Sequence, residues 1–208
     1  MRRPAPFSRL YPILDATLET RDTLAPSIQA LAAAGCRLVQ LRAKELSSRE
    51  LLQWAELAVE AARPSGIDVI INDRADVALL SHAAGVHLGQ DDLSVTGARR
   101  VLGNDAIIGM STHNFDQARV ADETDVDYIA IGPAYATASK TNADTPLGPD
   151  YIREVRDAVQ KPLVAIGGIT LTRAPELLAT GVDAVAVISA LKQTTSLEQE
   201  ARTWLALK

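Results

Sequence analysis

The chain is poor in the features that mark several large classes of protein. Its 208 residues include one cysteine, Cys36, so no disulfide can form within the chain. The surroundings of that cysteine, AAAGCRLVQL, predict a packed thiol and a reducing, cytoplasmic setting. Positive charge is not in excess: the formal net charge of −5 argues against a general binder of nucleic acid or anionic lipid, which needs clustered Lys and Arg. Any phosphate site must therefore be local. No apolar run approaches the roughly 18 residues a membrane-spanning helix needs. The opening MRRPAPFSRLYPIL breaks into prolines and polar residues where an export signal would carry its apolar core. No G-x-G-x-x-G follows the first apolar run, and no nucleophile elbow with Asp and His in hydrolase order is present. Small-molecule partners are expected, with no nucleic acid and no membrane. Homo-oligomerisation is left open.

What is present is an alternation. Short, continuous apolar runs occur at Leu10–Leu14, Leu38–Leu41, Val69–Ile71, Val86–Leu88, Ile107–Met110, Tyr128–Ile131, Leu163–Ile166 and Ala184–Ile188. Half-exposed antiparallel strands would alternate apolar with polar; these runs suit parallel strands covered on both faces. Amphipathic stretches follow them at Thr23–Ala34, Ser48–Arg63, Ala75–Ala83, Thr96–Leu102, Phe115–Asp122, Pro149–Val159, Arg173–Ala179 and Leu197–Leu207. Ser47 and Ser48 ahead of Glu50, and Pro149 after Gly148, are helix start signals. Gly35, Gly85 and Gly181, each before a strand, read as helix C-caps. Strand then helix, eight times over, predicts an α/β fold: a single (β/α)8 TIM barrel over residues 1–208, with an open doubly wound sheet as the competing architecture.

A barrel carries its chemistry at the C-terminal ends of its strands. The second strand ends in QLRAK, where the period of two puts Gln40, Arg42 and Lys44 on one side. Gln40 within an apolar strand needs hydrogen-bond partners. The third ends in Asn72-Asp73 and the fourth runs into Gln90-Asp91-Asp92. Carboxylates at adjacent strand ends suit Mg2+, which takes one or two and completes its shell with phosphate oxygens and water. Asp73 and Asp92 are the candidate pair, Asp91 is the better candidate for a helix cap, and His87 within its strand reads as a hydrogen-bonded core histidine. The fifth strand offers Ser111 to the same mouth. Thr112-His113-Asn114 reads equally well as a helix cap. The long segment after the sixth strand, 134–147, supplies Thr137, Ser139 and Lys140 as donors suited to phosphate. Gly167-Gly168 after the seventh strand and Ile188-Ser189 after the eighth occupy the usual barrel phosphate site, where glycines let backbone amides approach an anion.

The segments VQLRAK, IINDR, GVHLGQDD, GMSTH, DYIAIGPAYATASK, VAIGGI and VAVISA, in order from Tyr11 to about Lys192, resemble thiamine phosphate synthase. The resemblance implies a transferase that joins hydroxymethylpyrimidine diphosphate to hydroxyethylthiazole phosphate, giving thiamine phosphate and pyrophosphate. It implies that Gln40, Arg42, Lys44, Asn72, Ser111 and Lys140 hold the pyrimidine diphosphate. Thr137, Ser139, Gly168, Ile188 and Ser189 would hold the thiazole phosphate, and Asp73 and Asp92, 19 residues apart, would hold Mg2+. Arg42, Lys44, Lys140 and Ser111 would act on the departing pyrophosphate. The family loop commonly reads Thr-x-Thr-Lys, and here Ser139 takes the place of the second threonine with its hydroxyl retained.

Two other readings compete. A thiazole tautomerase of the same barrel family, with His113 as acid and base, would need no diphosphate-neutralising cations. A non-catalytic phosphate-ligand sensor would bind without turnover and leaves Asp73, Asp92 and Lys140 unexplained.

Overall fold

The computed structural model describes residues 7–137, 145–192 and 196–207. Eight parallel strands close a barrel in sequence order: β1 (Leu10–Asp15), β2 (Leu38–Arg42), β3 (Asp68–Asn72), β4 (Gly85–Leu88), β5 (Ile107–Thr112), β6 (Tyr128–Ile131), β7 (Leu163–Ile166) and β8 (Ala184–Val187). Closure joins β8 to β1 through Leu10 opposite Val185, which excludes the open sheet. The helices between and after them are α1 (Arg21–Ala34), α2 (Ser48–Ala62), α3 (Ala75–Leu80), α4 (Val95–Leu102), α5 (Phe115–Glu123), α6 (Gly148–Ala158), α7 (Ala174–Leu178) and α8 (Leu197–Leu205). A short 3-10 turn, Ser189–Lys192, follows β8.

Local chemistry sets the helix limits. Ser47 and Glu50 form a reciprocal capping box at the start of α2, so two otherwise unpaired backbone donors are satisfied. Thr20 caps α1 through Thr23, which starts that helix two residues before the apolar period does. Asn114 caps α5, as the Thr112-His113-Asn114 segment allowed. For α4 the cap is Ser94, so neither Asp91 nor Asp92 serves it. Gly35 ends α1 at φ +107, a left-handed conformation suited to glycine. Gly85 is a correction: it lies inside β4, where a Cβ would stand 1.8 Å from the Ile107 carbonyl oxygen, so its role is close strand approach.

The period of two sorts each strand's side chains. Val39 and Leu41 of β2 pack outward against the helices, whereas Leu38, with Ile70, Ile107, Tyr128 and Val164, fills the barrel. Phe7, ahead of β1, sets its ring edge-on to Tyr11 and Tyr128 with centroids 5.6 and 5.0 Å apart and covers the N-terminal end of the barrel interior. Arg99 on α4, 8% exposed, ties Asp127 and the carbonyls of Asp125 and Ala106 ahead of β6 and β5, so its charge is spent on structure. Cys36 is buried, and burial pushes its thiol up to about 12, leaving it protonated and unreactive at neutral pH. Among the described residues no helix is long and apolar enough to cross a membrane.

Candidate active site

Inward parity carries Asp15, Arg42, Asn72 and Ser111 to the C-terminal mouth of the barrel. Asp15 and Arg42 stand opposite each other across β1 and β2 and form an ion pair. Burial opposes ionisation of Asp15, but two hydrogen bonds from Thr17 (backbone N 2.9 Å, hydroxyl 2.7 Å) and the Arg42 charge outweigh it and hold the carboxyl below the usual range. The guanidinium of Arg42 is thereby fixed at the mouth rather than free to swing. Gln40, one layer deeper and 2% exposed, donates from Nε2 to the Tyr11 hydroxyl at 3.1 Å, which meets the demand for a partner that its burial created.

Lys44 continues from β2 and reaches Asp73 at 3.1 Å. Asp73 follows β3 with φ +64, an uncommon conformation for a residue with a side chain. Asp73 thereby meets Asp92. Burial, with the neighbouring Asp92 carboxylate, raises the pKa of Asp73, while Lys44 opposes both. Asp92 accepts from the Gly89 amide at 2.6 Å, so it is anchored to the end of β4. Two hard oxygen donors held together against their own repulsion, beside the Arg42 and Lys44 cations, are a donor set that fits Mg2+. Among the described residues no group of three or more His, Cys, Asp or Glu side chains gathers for a metal, so the fit is to an ion that completes its shell with substrate and water.

The other side of the mouth is built from backbone. Gly167 (φ +102) and Gly168 (φ +62) follow β7. The chain after β6 lies directly against them, with the Ala134 amide on Ile166 O at 2.8 Å and the Tyr135 amide on Gly167 O at 3.0 Å. A Cβ at Gly168 would fall 2.4 Å from Ala136 O. Arg173 braces the turn by donating to Gly168 O at 3.0 Å while stacking 4.7 Å above the Tyr135 ring.

Two adjoining compartments result, of about 670 and 720 Å3. The first is lined by Tyr11, Gln40, Arg42, Lys44, Asn72, Asp73 and His87; the second by Thr137, Gly168 and Ser189; Ser111, His113 and Ile188 border both. The structure thus brings the two predicted residue sets together in separate places, with Asp92 joined through Asp73. Ser139 and Lys140 lie outside the described residues. His87 is buried and hydrogen-bonded to Ser111 at 2.8 Å, in keeping with a core histidine. Sequence reasoning missed Asp15, although it sits inward at the end of the first apolar run, and that position was its available signal. It also missed Tyr11 and Tyr128, whose apolar rings read as ordinary core.

The comparisons with known proteins agree with this geometry. The model of the family described as thiamine monophosphate synthase matches residues 10–191. A thiamine-phosphate synthase of Koribacter versatilis is 46% identical over 187 residues, covering 88% of this chain and 88% of the relative. One from Chloroflexus aurantiacus is 39% identical, covering 96% of this chain and 92% of the relative. The solved structure of thiamine phosphate pyrophosphorylase from Pyrococcus furiosus superposes with a TM-score of 0.83 at 30% identity, over 94% of this chain and 93% of that one. With its closed barrel, its two-part mouth and this kinship over nearly its whole length, the chain belongs to the thiamine monophosphate synthase family.

Proposed function

We propose that the chain condenses hydroxymethylpyrimidine diphosphate with hydroxyethylthiazole phosphate, forming thiamine phosphate and releasing pyrophosphate. The observation that carries this reading is the division of one mouth into a cation-and-carboxylate compartment and a glycine-walled compartment, bordered in common by Ser111. The first suits a diphosphate, the second a monophosphate, and the shared edge is where the two substrates would meet.

In this reading Arg42 and Lys44 bind the diphosphate and neutralise the charge that builds as pyrophosphate leaves, joined by Lys140 from the following loop. Gln40 and Asn72 help to hold the pyrimidine diphosphate by hydrogen bonds, and Ser111 donates to the diphosphate. Asp73 and Asp92 would hold Mg2+, which when bound supplies charge neutralisation to the diphosphate oxygens. The electron-rich pyrimidine stabilises positive charge at its methylene carbon, and the thiazole nitrogen, positioned by Thr137, Ser139, Gly168, Ile188 and Ser189, captures it. No side chain needs to form a covalent bond. One catalytic domain over 1–208, acting in the cytoplasm, belongs to the same proposal; closure of all eight strands into one barrel supports the first part.

The test is purified protein with both substrates and Mg2+, followed by measurement of pyrophosphate and thiamine phosphate. Equal amounts of both products are expected; neither product from folded protein would overturn the reading. A tautomerase has no use for the Lys44–Asp73–Asp92 cluster, and turnover of a thiazole carboxylate that survives chelation would favour it instead.

A further inference from the structure

The barrel interior contains a line of hydrogen bonds that runs from Gln40 to Ser111 through Tyr11, Tyr128 and His87, three residues to which the chemistry above gives no role. Gln40 Nε2 donates to the Tyr11 hydroxyl at 3.1 Å, and Tyr11 and Tyr128 meet hydroxyl to hydroxyl at 2.8 Å. The Tyr128 hydroxyl lies 2.9 Å from His87 Nδ1, and His87 Nε2 lies 2.8 Å from Ser111 Oγ. Both tyrosines are wholly enclosed, at 1% and 0% exposure. Burial drives both phenols well above their usual range, so each remains a neutral donor and acceptor.

Space for this line is made at one position. His87, Gly109 and Tyr128 are register neighbours on β4, β5 and β6. A Cβ on Gly109 would lie 2.1 Å from Tyr128 Cζ; without it the phenol ring stacks on the imidazole at 5.4 Å and 26°.

The polarity of the line follows from its first donor. The Gln40 amide nitrogen has only protons to offer, so the Tyr11 oxygen accepts there. The Tyr11 hydroxyl is buried, and with Gln40 Nε2 offering no lone pair its own proton is satisfied by donation to Tyr128. Tyr128, having accepted, gives its proton to His87 Nδ1, which must carry a lone pair. The imidazole is accordingly neutral with its proton on Nε2, and Nε2–H donates to Ser111 Oγ. Ser111, its oxygen engaged from below, keeps its hydroxyl proton for the mouth. A serine beside an unordered histidine would divide its proton between the ring and the ligand.

We infer that Tyr11, Tyr128 and His87 are positioning residues that hold Ser111 as a committed hydrogen-bond donor to the anionic group bound at the mouth. The inference rests on the reading of Ser111 as a substrate contact. It adds that the donor direction of Ser111 is set by the hydrogen-bonded line beneath it, running back to Tyr11 at the floor of the first compartment, and that it is in place before substrate arrives.

Two measurements on the full chain test it. Long-range 1H–15N correlation spectra of labelled protein without substrate should find His87 neutral with the proton on Nε2, and Tyr128→Phe should shift that tautomer toward Nδ1–H. This readout needs no turnover, so its failure is separate from failure of the assigned reaction; a wild-type His87 protonated on Nδ1 overturns the inference. In the second, Tyr128→Phe should lower kcat about tenfold, the size of one lost charge-assisted hydrogen bond. In a Ser111→Ala background the same substitution should lower kcat little further. An equal loss in both backgrounds would mean general distortion of the barrel and would also overturn it. If Tyr128→Phe does not fold, the wild-type tautomer alone decides.

Discussion

Asp15 and Arg42 form an ion pair across the C-terminal ends of β1 and β2, with the acid only 5% exposed and locked by Thr17. The pair gives Arg42 one orientation, and it makes Asp15 part of the site without touching substrate. Asp15→Asn removes the charge and keeps the shape. The KM for the pyrimidine diphosphate is expected to rise about tenfold, and stability to fall by about 2 kcal/mol, since a buried partner is left uncompensated. Steady-state kinetics and urea unfolding check the two separately.

The same pair has a pH signature. Asp15 is depressed in the folded protein relative to its ordinary 3.8, so its contribution to stability is complete above that value and is lost as pH falls through the lower folded value. Unfolding midpoints of the wild type and Asp15→Asn should differ by a constant amount from pH 5 to 7 and converge in stronger acid. A gap that widens toward acid would contradict this assignment.

Asp73 behaves in the opposite sense. Its pKa is raised, first by burial and with Asp92 adding to it, so its charge opposes folding above the ordinary value when no cation is bound. Asparagine also tolerates the left-handed backbone at φ +64. Asp73→Asn should therefore be no less stable than the wild type without Mg2+, while needing about tenfold more Mg2+ for half-maximal turnover. Chelation should silence the wild type. The checks are thermal unfolding in chelator and a Mg2+ titration of activity.

Gly168→Ala would place a methyl 2.4 Å from Ala136 O at a residue with φ +62. The turn must move, at a cost of about 1–3 kcal/mol. The expected kinetic result is selective: the KM for the thiazole phosphate rises about tenfold or more, and that for the pyrimidine diphosphate stays nearly constant. Equal effects on both would argue against a divided mouth.

Lys140→Ala is expected to lower kcat by about a hundredfold with little change in melting temperature, because in the proposed reaction its charge serves the departing pyrophosphate and so acts on the transition state. Unchanged turnover would make this lysine incidental.

Much of this was legible in the chain. The strand runs are short and apolar on both faces, and several of the helices after them carry start signals, so the eight units, with limits off by up to three residues, followed from periodicity and caps. Strand parity then placed Gln40, Arg42 and Ser111 at the mouth, because side-chain direction along a strand is a local property. The glycine pairing with Ile188-Ser189 was likewise visible from order alone.

The sequence by itself determined the repeating units, the barrel class and the list of strand-end groups. Tertiary structure alone decided which of those groups meet. Asp73 reaches Asp92 through a left-handed backbone turn that periodicity does not encode. Gly85 was misread because its neighbour is the β5 backbone rather than its own helix. Tyr11 and Tyr128, 117 residues apart, join across the barrel because ring closure fixes which inward side chains share a layer. Local patterns specify direction and burial; contacts across a closed interior depend on the stagger of all eight strands at once.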